Sequence, residues 1–310
     1  MFTRILQIKA YSRLCPKANV EAITFARQPS DHSFNQSTAH NKYHIDNKHS
    51  NNNNKQIVNR PVIYNQDNTQ SVNMSTQSQQ SLNKVEIDSS NSKGKLPIYI
   101  SNIQHSGKKA AVVMIQEWWG INEQIKRQAI QWYVTAGFDV VVPDLYRGKV
   151  TDDQEEAGHL MNQLDFPGAV QDIQASVDYL KSQGYQSIGV TGVCMGGALT
   201  IASAVKVTGI TAAACFYGIP DNQYFPHSQV KVPIQLHFGN SDEMKGFSDP
   251  ESANELEDRL KSGNVKYEFY RYDGAGHAFT NDTHHGNTTE KQASVTAHKR
   301  VIEFFNKQLK

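Results

Sequence analysis

The chain of 310 residues carries 31 basic and 30 acidic side chains, a net charge of +1, which leaves no electrostatic footprint for nucleic acid or an anionic membrane. Hydrophobic residues make up 38% of it, and the shortfall is local: residues 29–94 are rich in Asn, Ser, Gln and His without apolar periodicity, which excludes a packed core there. Cys15, Cys194 and Cys215 are too few and too scattered for a disulfide framework or a thiolate metal site, which points to a reducing compartment.

Residues 1–28 set Arg4, Lys9, Arg13, Lys17 and Arg27 against the single acid Glu21, and no apolar secretory core follows. They read as a basic tail or a mitochondrial presequence, so the expected location is cytoplasmic or mitochondrial. Residues 29–81 read as a disordered Asn/Ser/Gln-rich segment, with Ile57 to Tyr64 as a candidate short strand. His32, His40, His44 and His49 belong to that polar stretch, and no metal is assigned to them. The longest apolar run, Ala110 to Ile115, is far below the roughly 18–20 residues that span a bilayer, so no membrane partner is expected.

Residues 82–310 form the predicted folded domain. Val85 to Ile87, a turn through Asn91 and Gly94, and Leu96 to Ile100 read as a hairpin, and Ala110 to Ile115 as a strand covered on both faces. A helix is predicted from Asn122, with Ile125, Ala129, Ile130, Trp132, Tyr133 and Ala136 on one face and Gly137 as its stop. A strand Phe138 to Val142 follows, then a helix over 151–165. The 3, 4, 3 spacing of Val170, Ile173, Val177 and Leu180 marks a further helix closed by Gly184. The same alternation continues through a strand Ser187 to Gly192, a helix from Met195, strands Ile210 to Tyr217 and Val232 to Phe238, a helix Glu251 to Ser262 and a strand Val265 to Tyr272. A last helix carries Val295, Ile302, Phe305 and Leu309. Such alternation implies an α/β fold, a mostly parallel central sheet with helices on both faces.

Chemistry enters at Gly192-Val193-Cys194-Met195-Gly196-Gly197, where a strand turns directly into a helix. This is the nucleophile-elbow pattern with Cys in place of Ser. Side chains at 192 and 196 would collide with the neighbouring strand and helix, while residue 194 projects above the sheet. The helix N-terminus behind it favours a thiolate. Cys215, inside an apolar strand, reads as core. A nucleophile needs a base, and the base an orienting acid. Asp242 and His277 follow late strands, in Gly239-Asn240-Ser241-Asp242 and Gly274-Ala275-Gly276-His277-Ala278-Phe279, in the chain order acid then histidine.

Over residues 83–310 the sequence resembles the dienelactone hydrolase (carboxymethylenebutenolidase) family of α/β-hydrolases. The resemblance rests on Gln116-Glu117-Trp118-Trp119-Gly120, Pro143-Asp144-Leu145-Tyr146, the Cys194 elbow, Gly239-Asn240-Ser241-Asp242 and Gly276-His277-Ala278-Phe279. It implies the α/β-hydrolase fold, with Cys194 as nucleophile, His277 as base, Asp242 as its partner and Glu117 as a carboxylate that interacts with the resting thiol. It also implies an oxyanion hole from the backbone N–H groups of Met195 and Trp118. An acid ending an apolar strand, as Glu117 does, is costly unless it has a partner.

The sequence departs from that family in one respect. Its dienelactone-cleaving members hold the substrate carboxylate with two arginines, one in the helix matching residues 151–165 and one shortly after the catalytic histidine. Here Gln154 and Asn281 stand nearest those places, while His284 and His285 receive no role. The expected activity is hydrolysis of small carboxylic esters or lactones through an acyl-thioenzyme, without cofactor or metal. Thioester or amide hydrolysis, and a non-catalytic ligand-binding or partner-binding member, are the alternatives.

Overall fold

The computed structural model describes residues 81–101, 110–283 and 287–310. The expectations for residues 1–28, for the Asn-rich stretch up to residue 80, and for His284 and His285 lie outside the described residues.

The chain opens with β1 (Leu82–Ile87) and β2 (Leu96–Ser101), an antiparallel hairpin pairing Val85 with Ile98. Gly94 turns it at φ +70°, a conformation open to glycine at no steric cost. Then come β3 (Ala110–Ile115), α1 (Glu123–Gln128), β4 (Asp139–Pro143), α2 (Gln154–Asn162) and α3 (Phe166–Ser182). The second half supplies β5 (Ser187–Val193), α4 (Met195–Lys206), β6 (Ala212–Phe216), β7 (Ile234–Gly239), α5 (Pro250–Ser262), β8 (Tyr267–Tyr272) and α6 (Thr288–Gln308).

The strands form one eight-stranded sheet in the order β1-β2-β4-β3-β5-β6-β7-β8. β2 runs antiparallel to β4, and every pairing from β4 across to β8 is parallel. The central strands β3, β5, β6 and β7 are buried at every position, as continuous apolar runs in a doubly covered parallel sheet require. α3, α4 and α5 pack on one face, α1 and α6 on the other. Among the described residues no helix is long and apolar enough to cross a membrane.

Three helices differ from the sequence pattern. After Asn122 caps α1 by accepting from Ile125 N–H at 3.0 Å, the helix widens at Gln128 into a π-helical stretch over Ala129–Val134. The wider turn rotates the later residues: Ile125, Ala129 and Tyr133 are buried, whereas Ile130, Trp132 and Ala136 are half exposed. In α6, Val295 is 42% exposed and does not face the sheet. The buried stripe runs through Ala293, Ala297, His298, Val301, Phe304 and Phe305, with Leu309 tucked in just past the helix. Small residues fill that stripe at its start and Phe304 and Phe305 at its end, so apolar character alone does not pick out the inner face. The predicted helix over 151–165 is also shorter, because Asp153 caps α2 and Asp165 already opens α3, whose first turn holds Pro167.

A buried ionic knot ties the hairpin to this framework. Asp172 of α3 is fully buried and accepts from the two terminal guanidinium nitrogens of Arg147 at 2.8 and 2.9 Å. Ser89 Oγ and Asn91 Nδ2, from the β1–β2 turn, donate to the same carboxylate at 2.6 and 2.9 Å. All its oxygens are satisfied, which is the condition for burying a charge.

Candidate active site

The loops at the carboxyl ends of β3, β5, β7 and β8 bring the sequence-predicted residues to one edge of the sheet. The elbow is built by close backbone approach. A Cβ at Gly192 would lie 2.4 Å from Gly196 O, one at Gly196 would lie 2.5 Å from Ile115 O, and one at Gly197 would lie 2.1 Å from Phe216 O. Gly218, which the pattern did not single out, belongs to the same knot, since its Cβ would meet Cys194 O at 2.1 Å. Cys194 itself is held at φ 55°, ψ −118°, a strained backbone that aims the side chain off the sheet.

Sγ of Cys194 lies 3.2 Å from His277 Nε2, and His277 Nδ1 lies 2.9 Å from Asp242 Oδ2. The other Asp242 oxygen accepts the Met244 N–H at 2.9 Å, which fixes the carboxylate. Burial opposes the charge of His277, but its contacts with Cys194 and Asp242 outweigh it and push its pKa up to about 10. The first N–H groups of α4 have no intrahelical acceptor and face the same region with the positive end of the helix dipole. A cysteine beside a charged imidazole, aimed from a helix N-terminus, is a candidate nucleophile with a proton donor at hand.

Glu117 is 2% exposed, and Asn281 Nδ2 donates to its Oε2 at 3.1 Å. Its Oε1 has no partner among the described residues. Burial raises its pKa to about 7, against the opposing pull of His277 and Asn281. The expected contact between Glu117 and the thiol is absent from the hydrogen bonds of the described residues: Sγ is on His277, and the amide of Asn281 holds the carboxylate instead. The loop carrying Glu117 and Trp118 is pinned by Gln116, whose Oε1 accepts Leu145 N–H at 3.2 Å and whose Nε2 donates to Glu117 O at 3.3 Å. Trp118 packs edge-on against Trp119 at 4.9 Å.

The arginines and their substitutes are now placed. Gln154 is exposed at the start of α2, and Asn281 is buried against Glu117. Arg147 is spent on Asp172, while Arg271 pairs with Glu257 at 3.0 Å and lies over the Phe269 ring. Cys215 is fully buried, donates to Gly218 O at 3.3 Å, and has its pKa pushed up to about 12 by burial. Among the described residues no group of three or more His, Cys, Asp or Glu could hold a metal ion.

Sequence reasoning gave no role to three neighbours of this centre. Tyr217, just after β6 at φ 34°, packs edge-on against the His277 ring at 5.2 Å and hydrogen-bonds Thr280 Oγ1. Tyr146 donates to Met195 Sδ at 3.2 Å. Ser248 Oγ lies 3.0 Å from His277 Nδ1. The two tyrosines sit where strands β6 and β4 release their loops, a positional signal; Ser248 has none.

The profile of the dienelactone hydrolase family matches residues 96–309. The chain is 32% identical to the protein named usf of Aquifex pyrophilus over 182 residues, 55% of this chain and 77% of that one. It is 29% identical to the carboxymethylenebutenolidase of Pseudomonas putida over 205 residues, 62% and 84% of the two chains. A crystal structure described as a dienelactone hydrolase of Klebsiella pneumoniae superposes with a TM-score of 0.62 at 20% identity, over 73% of this chain and 99% of that one, a likeness of fold. With eight strands in hydrolase order, an elbow after β5 and a family profile across most of the chain, the protein belongs to the dienelactone hydrolase family.

Proposed function

We propose that this protein is a cysteine-dependent hydrolase of small carboxylic esters and lactones that works through an acyl-thioenzyme. The observation that carries the reading is the unbroken run from Cys194 Sγ to His277 Nε2 at 3.2 Å and from His277 Nδ1 to Asp242 Oδ2 at 2.9 Å. The thiolate attacks the carbonyl carbon, and the N–H groups of Met195 and Trp118 receive the oxyanion. The imidazolium then gives its Nε2 proton to the departing alkoxide, leaving an acyl group on sulfur. Water attacks this thioester while Nε2 takes its proton, and collapse releases the acid and the thiolate.

The relative in Pseudomonas putida bears the name carboxymethylenebutenolidase, which supports a lactone or ester as substrate class. The engagement of Arg147 and Arg271 elsewhere, and Asn281 beside Glu117, favour neutral substrates over carboxylates. A panel of esters, lactones and thioesters tested on wild type and Cys194→Ala decides the reading. Turnover of esters or lactones that the variant lacks is expected; equal turnover by the variant would remove Cys194 as nucleophile.

A further inference from the structure

His277 Nδ1 has two oxygen neighbours, Asp242 Oδ2 at 2.9 Å and Ser248 Oγ at 3.0 Å. A ring nitrogen carries at most one proton, so only two arrangements are open. In one, the Ser248 hydroxyl donates into a bare Nδ1, which leaves the Asp242 carboxylate facing a nitrogen lone pair at 2.9 Å, a repulsive contact. In the other, a single Nδ1–H is shared between the carboxylate and the hydroxyl oxygen. The second arrangement is electrostatically consistent, and it holds for both the neutral ring protonated at Nδ1 and the imidazolium.

Ser248 is built into place for this contact. It is fully buried, and the N–H groups of Phe247, Ser248 and Asp249 all converge on Met244 O at 3.1, 3.1 and 3.2 Å. The same turn begins at Asp242 Oδ1, which accepts the Met244 N–H. One loop therefore delivers both oxygens to Nδ1, while Phe247 and Tyr217 pack against the ring at 6.1 and 5.2 Å. Cys194 Sγ faces Nε2, and the buried Glu117 carboxylate acts on the ring through space. Asp249 is turned away from it, held by Gly246 N–H, Ser252 Oγ and Lys245.

We propose that Ser248 is a positioning residue for this reaction: its hydroxyl oxygen shares the Nδ1–H of His277 with Asp242, orienting the imidazole and favouring its charged form beside Cys194. The proposal rests on the reading of Cys194 and His277 as nucleophile and base. A second acceptor on Nδ1–H stabilises the charged ring, so its removal makes the thiol harder to ionise.

The test uses the full-length chain and follows iodoacetamide alkylation of the Cys194 peptide by mass spectrometry across pH. In Ser248→Ala the midpoint is expected to rise by about half to one pH unit, the equivalent of one neutral hydrogen bond. On an ester substrate kcat should fall about threefold to tenfold with KM unchanged. Ser252→Ala, which removes a hydroxyl from the adjoining turn without touching His277, should leave the midpoint in place. A midpoint that stays or falls in Ser248→Ala overturns the proposal, and so does an equal rise in Ser252→Ala. Failure of wild type to turn over any ester would remove the hydrolase reading alone, because the alkylation midpoints decide the role of Ser248 without turnover.

Discussion

The end of β5 and the interior of β6 lie side by side in the sheet, each with a free cysteine, and they make opposite use of it. Cys215 pairs in register with Gly192, two residues before Cys194. Yet Cys215 sits inside a regular strand, wholly enclosed, with its thiol on a carbonyl oxygen and its ionisation suppressed by burial. Cys194 is displaced from the strand by a strained elbow, reaches 7% exposure, and meets a histidine and a helix N-terminus. Sulfur chemistry is the same in both. What separates them is backbone geometry and the charge placed beside the sulfur, so a thiol becomes a candidate nucleophile only where the fold stops burying it among apolar groups.

The sharpest way to break this comparison is to exchange the fates of the two thiols. Cys194→Ala should lose about ten-thousandfold or more in kcat/KM, as removal of a nucleophile does. Cys215→Ala should keep turnover and lose only about 1–2 kcal/mol of stability from the small cavity. Kinetics and melting of the two variants measure both; the reverse pattern would mean that the wrong cysteine has been assigned.

The charge beside the sulfur is tested next. Asp242→Asn should lower kcat about a hundredfold to ten-thousandfold, since an amide facing Nδ1 favours the wrong tautomer. Asp144, also buried and with Oδ1 unpartnered among the described residues, touches neither Cys194 nor His277 among the hydrogen bonds of the described residues. Asp144→Asn should keep turnover within about tenfold of wild type. A worse loss at 144 than at 242 would reassign the acid.

A third experiment asks what kind of substrate the thiol end of the sheet admits. With Arg147 and Arg271 already paired, a methyl ester should exceed its matched free carboxylate by about tenfold or more in kcat/KM, because burying an unpaired carboxylate is costly. Preference for the carboxylate would reveal a cation at the site.

Glu117 gives a smaller, pH-dependent effect. Its folded pKa of about 7 lies above the ordinary carboxylate value of 4.5, so between those values the folded chain holds a proton that the unfolded chain has released. The stabilisation is complete below pH 4.5 and lost as pH rises through 7, on the order of 3 kcal/mol in all. Glu117→Gln should flatten this decline in denaturant melts; identical slopes in the two proteins would mean that Glu117 is ionised throughout. The smallest expected effect is at the chain's start: we propose that residues 82–310 fold alone, and removal of 1–81 should leave the melting transition cooperative and within a few degrees of the full chain.

The elbow was readable because its requirement is local: Gly192, Gly196 and Gly197 are adjacent in sequence, and sterics at one turn demand them. The buried strands were readable for a similar reason, since a run such as Ala110 to Ile115 records two covered faces in consecutive residues. The places of Asp242 and His277, in loops after late strands, followed from strand alternation. Other features depend on groups far apart in the chain, and no spacing encodes them. Asn281 meets Glu117 across 164 residues, and its small neutral amide says nothing by itself of the carboxylate it holds. Arg147 reads as a free cation until α3 supplies Asp172. The inner face of α6 is set by the packing of the helix on the sheet, which buries Ala297 and leaves Val295 exposed. Ser248 reaches Nδ1 only because the loop after β7 folds around Met244 O. The sequence by itself determined the fold class and the tight elbow that presents Cys194, because short-range sterics and periodicity act on neighbouring residues. Which polar groups hold one another at the site was decided by the tertiary structure alone, because burial makes a hydrogen-bond partner obligatory without saying where in the chain it comes from.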